Sequence, residues 1–125
     1  MATILLSIKP EYAAKIFDHT KQYEFRKRIP QKPIKRVVVY SSNPVQRVIG
    51  EFEVIETVQM KPSPLWERTK KTAGIPRAKF REYFHGSKTA YALKVGRTEL
   101  YQVPKELKDY GILNAPQSFL YLKEE

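Results

Sequence analysis

The sequence predicts an α+β fold in which five or six strands build a small mixed or antiparallel β-barrel, with short helices inserted between them. Two observations predict it. β-Branched and aromatic runs that are too short for a helix recur along the chain, and helical spacing is confined to a few short stretches. The 125 residues, of which 42% are hydrophobic, suit one compact domain over 1–125 with a substantial core.

The first half of the chain is predicted to contain four strands and one short helix, which Pro10 begins. Gly50, inside the fourth strand, indicates a bulge or a close backbone approach. In order, these elements are a buried strand (Ile4–Ile8), a helix (10–18), a strand (22–28), a central strand (Arg36–Ser41) and a long strand (Val48–Gln59).

The second half is predicted to be helical at first and then to return to strands. Gly74-Ile75-Pro76 should divide the helical segment into two pieces, because glycine and proline interrupt a helix. Gly96-Arg97 resembles a hairpin turn between two strands. The predicted order is two helices within 62–86, a strand (91–95), its hairpin partner (98–103), a short helix through Leu107 and a last strand (115–122).

A polar constellation lies where the first helix gives way to a strand. Side chains alternate between the two faces of a strand, so Glu24 and Arg26 should share a face that lines a cleft. Tyr23 and Phe25 should then be buried on the other face, with Lys21 leaning over the edge of the cleft. The Arg26–Glu24 pair could be a surface ion pair worth only about 0–1 kcal/mol. Alternatively, Lys21 and Arg26 hold an anionic or carbonyl-bearing ligand, and Glu24 orients them or exchanges protons.

The charge of the chain favours a polyanionic partner. Lys and Arg number 23 against 13 Asp and Glu, which gives a net charge of +10. Residues 21–36 contain seven basic residues and 61–88 contain eight, so the positive potential should be one-sided. A basic surface kept for solubility is the alternative. The residues expected to guide a nucleic-acid backbone are Arg28, Lys35, Arg77, Lys79 and Arg81.

The remaining composition restricts chemistry and location. The chain has no cysteine and only two histidines, which is a poor inventory for a metal, and we expect neither a metal nor a cofactor. No apolar run approaches the ~20 residues of a membrane helix, and the N-terminus does not resemble a signal peptide. These features fit a cytoplasmic protein. Four aromatic residues lie near the second basic cluster; we expect most to be buried and one to be exposed for stacking on a base: Trp66, Tyr83, Phe84 and Tyr91.

The run His19-Thr20-Lys21-Gln22-Tyr23-Glu24-Phe25-Arg26 resembles the Gly-x-Lys-x-x-Glu-x-Arg signature of the ASCH domain family, with His19 in the glycine position. The segments at 5–10, 48–52 and 115–119 are similar to the family as well, and the last resembles one subgroup of short bacterial and archaeal members. This resemblance implies a PUA-like β-barrel with a cleft under the first helix, where the signature residues gather. His19 should narrow the cleft mouth, add a titratable group there or end the helix.

The resemblance also implies functions. The PUA-like superfamily is associated with recognition of RNA and modified bases, some ASCH members are amidohydrolases acting on acylated cytidine, and others have been described as ribonucleases. Those amidohydrolases carry a threonine where this chain has Glu24, which weakens the transfer of their activity. Their further catalytic carboxylate has only Glu67 and Glu82 as candidates, by approximate location.

Our leading interpretation is a domain that binds RNA or another single-stranded nucleic acid, an unpaired or modified base, or a nucleoside or nucleotide, at Lys21, Glu24 and Arg26. The alternatives are a ribonuclease or a small amidohydrolase, the latter with Lys21 as activator or nucleophile and Glu24 as acid/base. A lysine beside Arg26 in a partly desolvated cleft should have a lowered pKa. A protein-interaction module that uses the basic face is a further alternative.

Overall fold

The computed structural model of the protein describes residues 1–123. Within these residues, six strands form one mixed sheet in the order β2-β5-β4-β3-β1-β6. The strands are β1 (Ala2–Ile8), β2 (Tyr23–Arg26), β3 (Ile34–Ser41), β4 (Arg47–Met60), β5 (Ala90–Lys105) and β6 (Phe119–Leu122). The helices are α1 (Pro10–Phe17), α2 (Pro62–Thr69) and α3 (Arg77–Tyr83), with 3₁₀ turns at Lys70–Thr72 and Leu107–Tyr110.

The centre of the sheet is buried on both faces, which explains the continuous apolar runs of β1 and β3. These two strands pair in parallel, and β4 pairs with β3 in antiparallel orientation. On one face, Leu6 and Val39 pack with Ile16 of α1. On the other face, Leu5 and Val38 pack near the 3₁₀ turn at Leu107–Tyr110. The sheet therefore carries α1 on a rigid base.

An aromatic cluster fixes α3 against β2. The Phe80 ring lies 5.0 Å from the Phe25 ring and 4.8 Å from the Phe84 ring, centroid to centroid. Trp66 of α2 packs on Phe80 from the other side, at 5.1 Å. The two helical pieces predicted on either side of Gly74-Ile75-Pro76 are confirmed, and together they cover the face of the sheet beside β2.

The predicted hairpin at Gly96-Arg97 is wrong. β5 runs without interruption through both residues and pairs with β4 along its length, with register shifts near Val54. A Cβ added to Gly96 would lie 2.8 Å from Ile55 Cγ1. The glycine therefore marks a close approach between irregular strands rather than a turn. The same interpretation is confirmed at Gly50, where an added Cβ would meet the Phe17 ring and the pairing shifts register on both sides.

The α+β class and the mixed sheet with inserted helices are confirmed, whereas closure into a barrel is not shown. The hydrogen-bonded strand order ends at β2 and β6. The last strand is shorter than predicted and pairs with β1 in antiparallel orientation. Among the helices of residues 1–123, none is long and apolar enough to cross a membrane.

Candidate functional site

A cleft of about 370 Å³ opens between α1, β2 and α3. Its floor is β2, one wall is the N-terminal end of α1, and the other wall is α3 with the segment that leads into it. The lining residues are Ser7, Ile8, Lys9, Tyr12, Lys21, Glu24, Phe25, Arg26, Lys27, Ile75, Lys79, Glu82 and Tyr83.

Glu24 and Arg26 face this cleft together, as the alternation of the strand predicts. Arg26 Nε donates to Glu24 Oε2 at 3.0 Å, and Arg26 Nη2 lies 2.9 Å from the same oxygen. Nη2 also donates to the Ser7 carbonyl at 2.7 Å. The side chains are only 15% and 8% exposed, so this is a fixed, partly buried pair rather than an exposed one. Both contacts use Oε2, so among the described residues Oε1 keeps its acceptor capacity for a ligand.

Lys21 does not lie at the edge of the cleft as predicted but is buried, with 2% of the residue exposed. Its Nζ donates to the Ala73 carbonyl at 2.9 Å. The same nitrogen lies 4.8 Å from the centre of the Phe25 ring and 5.5 Å from that of Tyr12. Burial is the main reason that the pKa of Lys21 falls to about 8, and Glu24 opposes that fall. The pKa of Lys21 is therefore lowered, in the direction predicted, but for a residue that is far more enclosed.

The two faces of β2 separate less cleanly than predicted. Phe25 is buried, but its ring lies under the Lys21 ammonium and contributes to the cleft. Tyr23 is half-buried. The strand twists and ends after four residues, so alternation places the polar pair correctly but does not exclude Phe25 from the site.

One aromatic residue of α3 is exposed in the cleft. Tyr83 is 37% exposed, whereas Phe84 is buried and both Trp66 and Tyr91 are half-buried. The Tyr83 hydroxyl accepts a hydrogen bond from the Lys27 backbone N–H at 3.3 Å, and Lys27 Nζ lies 5.0 Å from the ring centre. Burial raises the pKa of the Tyr83 hydroxyl. Its ring is a surface on which a base could stack.

Of the five residues expected to guide a nucleic-acid backbone, only Lys79 lines the cleft. The other four are exposed outside its lining: Arg28, Lys35, Arg77 and Arg81. Two basic residues that sequence reasoning missed, Lys9 and Lys27, lie at the rim instead. Lys27 belongs to the basic cluster at 21–36, whereas the sequence signal for Lys9 is its position directly after β1.

The two carboxylates considered as candidates for a further catalytic group lie in different places. Glu82 lines the cleft on α3, whereas Glu67 lies outside it and pairs with Lys70 at 2.9 Å. Within residues 1–123, no group of three or more His, Asp or Glu side chains is arranged to hold a metal ion.

His19 ends α1 and does not line the cleft. Its φ of 71° lies in the left-handed region, and its backbone N–H donates to the Ile16 carbonyl at 3.2 Å. Glycine favours this conformation at the end of a helix, which explains why the signature has glycine here. Of the predicted roles, ending the helix is the one that the structure supports.

Comparisons with known proteins give a consistent result. No protein-family model matches the chain. An ASCH domain-containing ribonuclease from Zymomonas mobilis is 32% identical over 128 residues, which cover 97% of this chain and 84% of that protein. The crystal structure of ASCH from Zymomonas mobilis superposes with a TM-score of 0.90 and 29% identity, covering 98% of this chain and 89% of that one.

Two longer proteins of Ureaplasma parvum serovar 3 also match. The ATP synthase subunit alpha is 34% identical over 122 residues, and the large ribosomal subunit protein uL22 is 33% identical over 123 residues. The matches cover 97% of this chain, but only 15% and 39% of those proteins.

Proposed function

The chain belongs to the ASCH domain family, and on that premise we propose that its cleft binds single-stranded RNA and cleaves it. The observation that carries the proposal is the buried Lys21 beside the fixed Glu24–Arg26 pair, in a cleft whose volume falls within the roughly 300–1,000 Å³ of small-ligand sites. The name of the Zymomonas relative, which matches over most of its length, favours cleavage over binding alone. The two Ureaplasma proteins do not guide the proposal, since the matches cover small parts of them.

The cleft suits an unpaired nucleotide. Tyr12, Phe25 and Tyr83 provide aromatic surface, and stacking on such side chains is how proteins bind splayed bases of single strands. Lys9, Lys27 and Lys79 surround this surface with positive charge that would hold phosphates. A base inside and phosphates at the rim is an arrangement that a paired helix would not allow.

The polar groups suit cleavage through the ribose 2′-hydroxyl. In this step Glu24 accepts the 2′-hydroxyl proton while the 2′-oxygen attacks the adjacent phosphorus. The bond from phosphorus to the 5′-oxygen breaks, and the Lys21 ammonium donates a proton to that oxygen. The products are a 2′,3′-cyclic phosphate and a 5′-hydroxyl. Arg26, held by Glu24 and the Ser7 carbonyl, would stabilise the charge that develops on the phosphate.

A matched set of substrates and variants tests this proposal. A single-stranded RNA oligonucleotide should be bound and cleaved, whereas the same sequence as DNA or 2′-O-methyl RNA should be bound and left intact. Lys21→Arg and Glu24→Gln should each reduce cleavage by roughly 10²-fold or more while binding survives. Lys88→Arg and Glu53→Gln make the same chemical changes at exposed positions outside the cleft and should leave cleavage unchanged. Cleavage of the DNA or the 2′-O-methyl RNA would refute the mechanism.

A second candidate function, hydrolysis of acylated cytidine, is favoured by the same lowered pKa of Lys21. The two chemistries require opposite protonation states. An attacking or activating lysine must be neutral, so hydrolysis should rise as the pH approaches about 8. A lysine that donates a proton must be charged, so RNA cleavage should fall above that pH. Rates on acylated cytidine and on RNA between pH 6 and 9 decide between them, and we expect only the second profile.

The closed PUA-like barrel and the guidance of RNA by the four exposed basic residues outside the cleft remain predictions. They are supported by the family resemblance and by the net charge of +10, respectively. If RNA were bound but not cleaved, the site would be a binding site in which Lys21 only contacts its ligand. This is the leading interpretation from the sequence.

A further inference from the structure

We infer that Gly74 is a positioning residue for Lys21: the Thr72–Gly74 segment forms a backbone clasp that sets where the lysine ammonium lies in the cleft. The inference rests on the proposed function for its consequence but not for its geometry. The contact joins residues 53 positions apart, and no motif in the sequence marks it.

The first observation is steric. Gly74 lies so close to Lys21 that an added Cβ would collide with Lys21 Cβ and Cγ and would come within 2.8 Å of its Cα. Real Cβ atoms do not approach other heavy atoms this closely. The aliphatic part of the Lys21 side chain therefore passes directly over the Gly74 backbone, where a side chain at residue 74 would collide with it.

The second observation is that the clasp holds Lys21 at both ends. The Ala73 carbonyl accepts from Lys21 Nζ at 2.9 Å, and the Thr72 carbonyl accepts from the backbone N–H of Gln22 at 2.8 Å. Lys15 Nζ lies 3.5 Å from the Gly74 carbonyl. Tip, stem and neighbouring backbone of Lys21 are thus all fixed by three consecutive residues.

The clasp also explains the environment of the ammonium. Closing over Lys21 leaves the residue 2% exposed, and this burial is the main cause of its lowered pKa. A displaced stem would move Nζ away from the Ala73 carbonyl and admit water. The pKa of Lys21 would then rise toward that of an ordinary lysine.

The chain supplies matched controls. Gly74, Gly86 and Gly111 all have a left-handed backbone, with φ of 71°, 79° and 72°. An added Cβ at Gly86 or Gly111 meets nothing within 4 Å. Alanine at any of the three bears the same kind of backbone strain, but only Gly74→Ala presses on Lys21.

The test follows the Lys21 side chain directly. Protein labelled with ¹³C at lysine Cε is titrated between pH 6 and 11 by NMR, and the Lys21 signal is assigned by its loss in Lys21→Arg. Gly74→Ala should raise the midpoint by about one pH unit or more, whereas Gly86→Ala and Gly111→Ala should leave it unchanged. An unchanged midpoint in Gly74→Ala, or an equal shift in either control, would overturn the inference. This titration needs no RNA, so its result tests the inference independently of the proposed function.

Cleavage kinetics provide a second test of the inference. Against the RNA oligonucleotide, Gly74→Ala should lower kcat by roughly 10²-fold with little change in KM, because the misplaced group acts on the reacting atoms. The two control variants should keep the wild-type kcat. Equal losses in all three variants would show a general effect of backbone strain and would contradict a positioning role.

A Gly74→Ala chain that fails to fold still gives an answer. Lys21→Gly removes the Cβ and Cγ, the two nearest of the three Lys21 atoms that the new methyl group meets, and leaves Cα at 2.8 Å. The double variant Lys21→Gly/Gly74→Ala should therefore recover a folded fraction that Gly74→Ala lacks, while staying less stable than Lys21→Gly alone. If the double variant recovers no folded protein while Lys21→Gly alone folds, contact with the Lys21 side chain is not what requires glycine at 74, and the inference is wrong.

Discussion

The ammonium group of Lys21 is buried away from water, so the free energy of unfolding depends on pH. Its pKa is about 8 in the folded protein and near the ordinary 10.5 in the unfolded chain. Below pH 8 both states are charged, and the folded state bears the full cost of the buried ammonium. Between pH 8 and 10.5 the folded protein loses its proton first, so the free energy of unfolding rises with pH.

Replacing Lys21 by Met should remove this rise. The free energy of unfolding of the wild type, measured relative to Lys21→Met, should increase by about 3 kcal/mol from pH 8 to 10.5. Urea denaturation at several pH values measures it, and tyrosine ionisation cancels because both proteins contain the same tyrosines. Lys88→Met, at an exposed position, is the control and should run parallel to the wild type. Parallel curves for Lys21→Met itself would show that Lys21 is not desolvated.

His19 adopts a backbone conformation that glycine adopts without strain, so His19→Gly should stabilise the protein. With φ at 71°, the expected gain is roughly 0.5–1 kcal/mol, since the relief of left-handed strain exceeds the added flexibility of the unfolded chain. Thermal or urea unfolding measures it. Ala14→Gly in the exposed face of the same helix should instead destabilise by about 1 kcal/mol. A loss of stability in both variants would contradict the capping role of residue 19.

Individual side chains differed in how well the sequence predicted them. The shared orientation of Glu24 and Arg26 follows from alternation within one strand, and it is confirmed. The burial of Lys21 could not be predicted, because it depends on the backbone of Ala73 and Gly74 far along the chain. Spacing within a strand determines which face a side chain points to, whereas its burial depends on which distant segment packs over it.

Helix α3 is held by its buried face and presents its other face to the cleft. Phe80 is 1% exposed and contacts Phe25, Trp66 and Phe84. Phe80→Ala should cost about 3–5 kcal/mol of unfolding free energy, because it removes a ring from the centre of the cluster. Arg81→Ala, at the next and exposed position, should change stability by less than about 0.5 kcal/mol.

Urea denaturation of both variants checks this prediction. If the cost at Phe80 were as small as that at Arg81, α3 would not be fixed by the aromatic cluster. Its cleft residues Lys79, Glu82 and Tyr83 would then lack the rigid support that the site requires.

Strands and helices were predicted from local patterns, and the errors lie where two strands interact irregularly. The helix α1 and the break at Gly74-Ile75-Pro76 follow from proline, glycine and apolar spacing, which act within the segment itself. Gly96 was misinterpreted because a glycine at a close strand approach and a glycine in a turn are alike in sequence. Only the partner strand, with Ile55 against Gly96, distinguishes the two.

The net charge of +10 should make RNA binding steeply dependent on salt. The logarithm of affinity should fall linearly with the logarithm of salt concentration, by about 0.7 per phosphate neutralised on a single strand. Lys79→Ala should reduce that slope by about 0.7, since Lys79 lines the cleft. Titrations of a labelled single-stranded RNA at about 50 to 200 mM salt, a range in which phosphate contacts lose affinity steeply, measure both slopes.

Lys61→Ala serves as the control, because it removes the same charge at an exposed position outside the lining of the cleft. An equal loss of slope in both variants would mean that the basic surface acts as a whole and that the cleft has no privileged contact. Absence of binding at low salt would end the polyanion hypothesis altogether.

Composition and element types together predicted the α+β class, but not the strand order. β2 lies beside β5, although 63 residues separate Arg26 from Ala90. Nothing in the spacing of either segment encodes that pairing, since strand partners are chosen by the packing of the complete sheet. For the same reason, the short final strand beside β1 could be predicted as a strand but not placed.

The pairing of β2 with β5 alone has a consequence for a chain emerging from the ribosome. The signature residues are synthesised early, yet within residues 1–123 the one strand that pairs with β2 is β5 (Ala90–Lys105). Loop closure over such a distance is slow, and it must wait until β5 has left the exit tunnel. A nascent chain that ends before residue 90 therefore carries Lys21, Glu24 and Arg26 without the cleft. The cleft that we propose to bind RNA is therefore acquired late in synthesis, and the unfinished protein should not engage transcripts around it through this cleft.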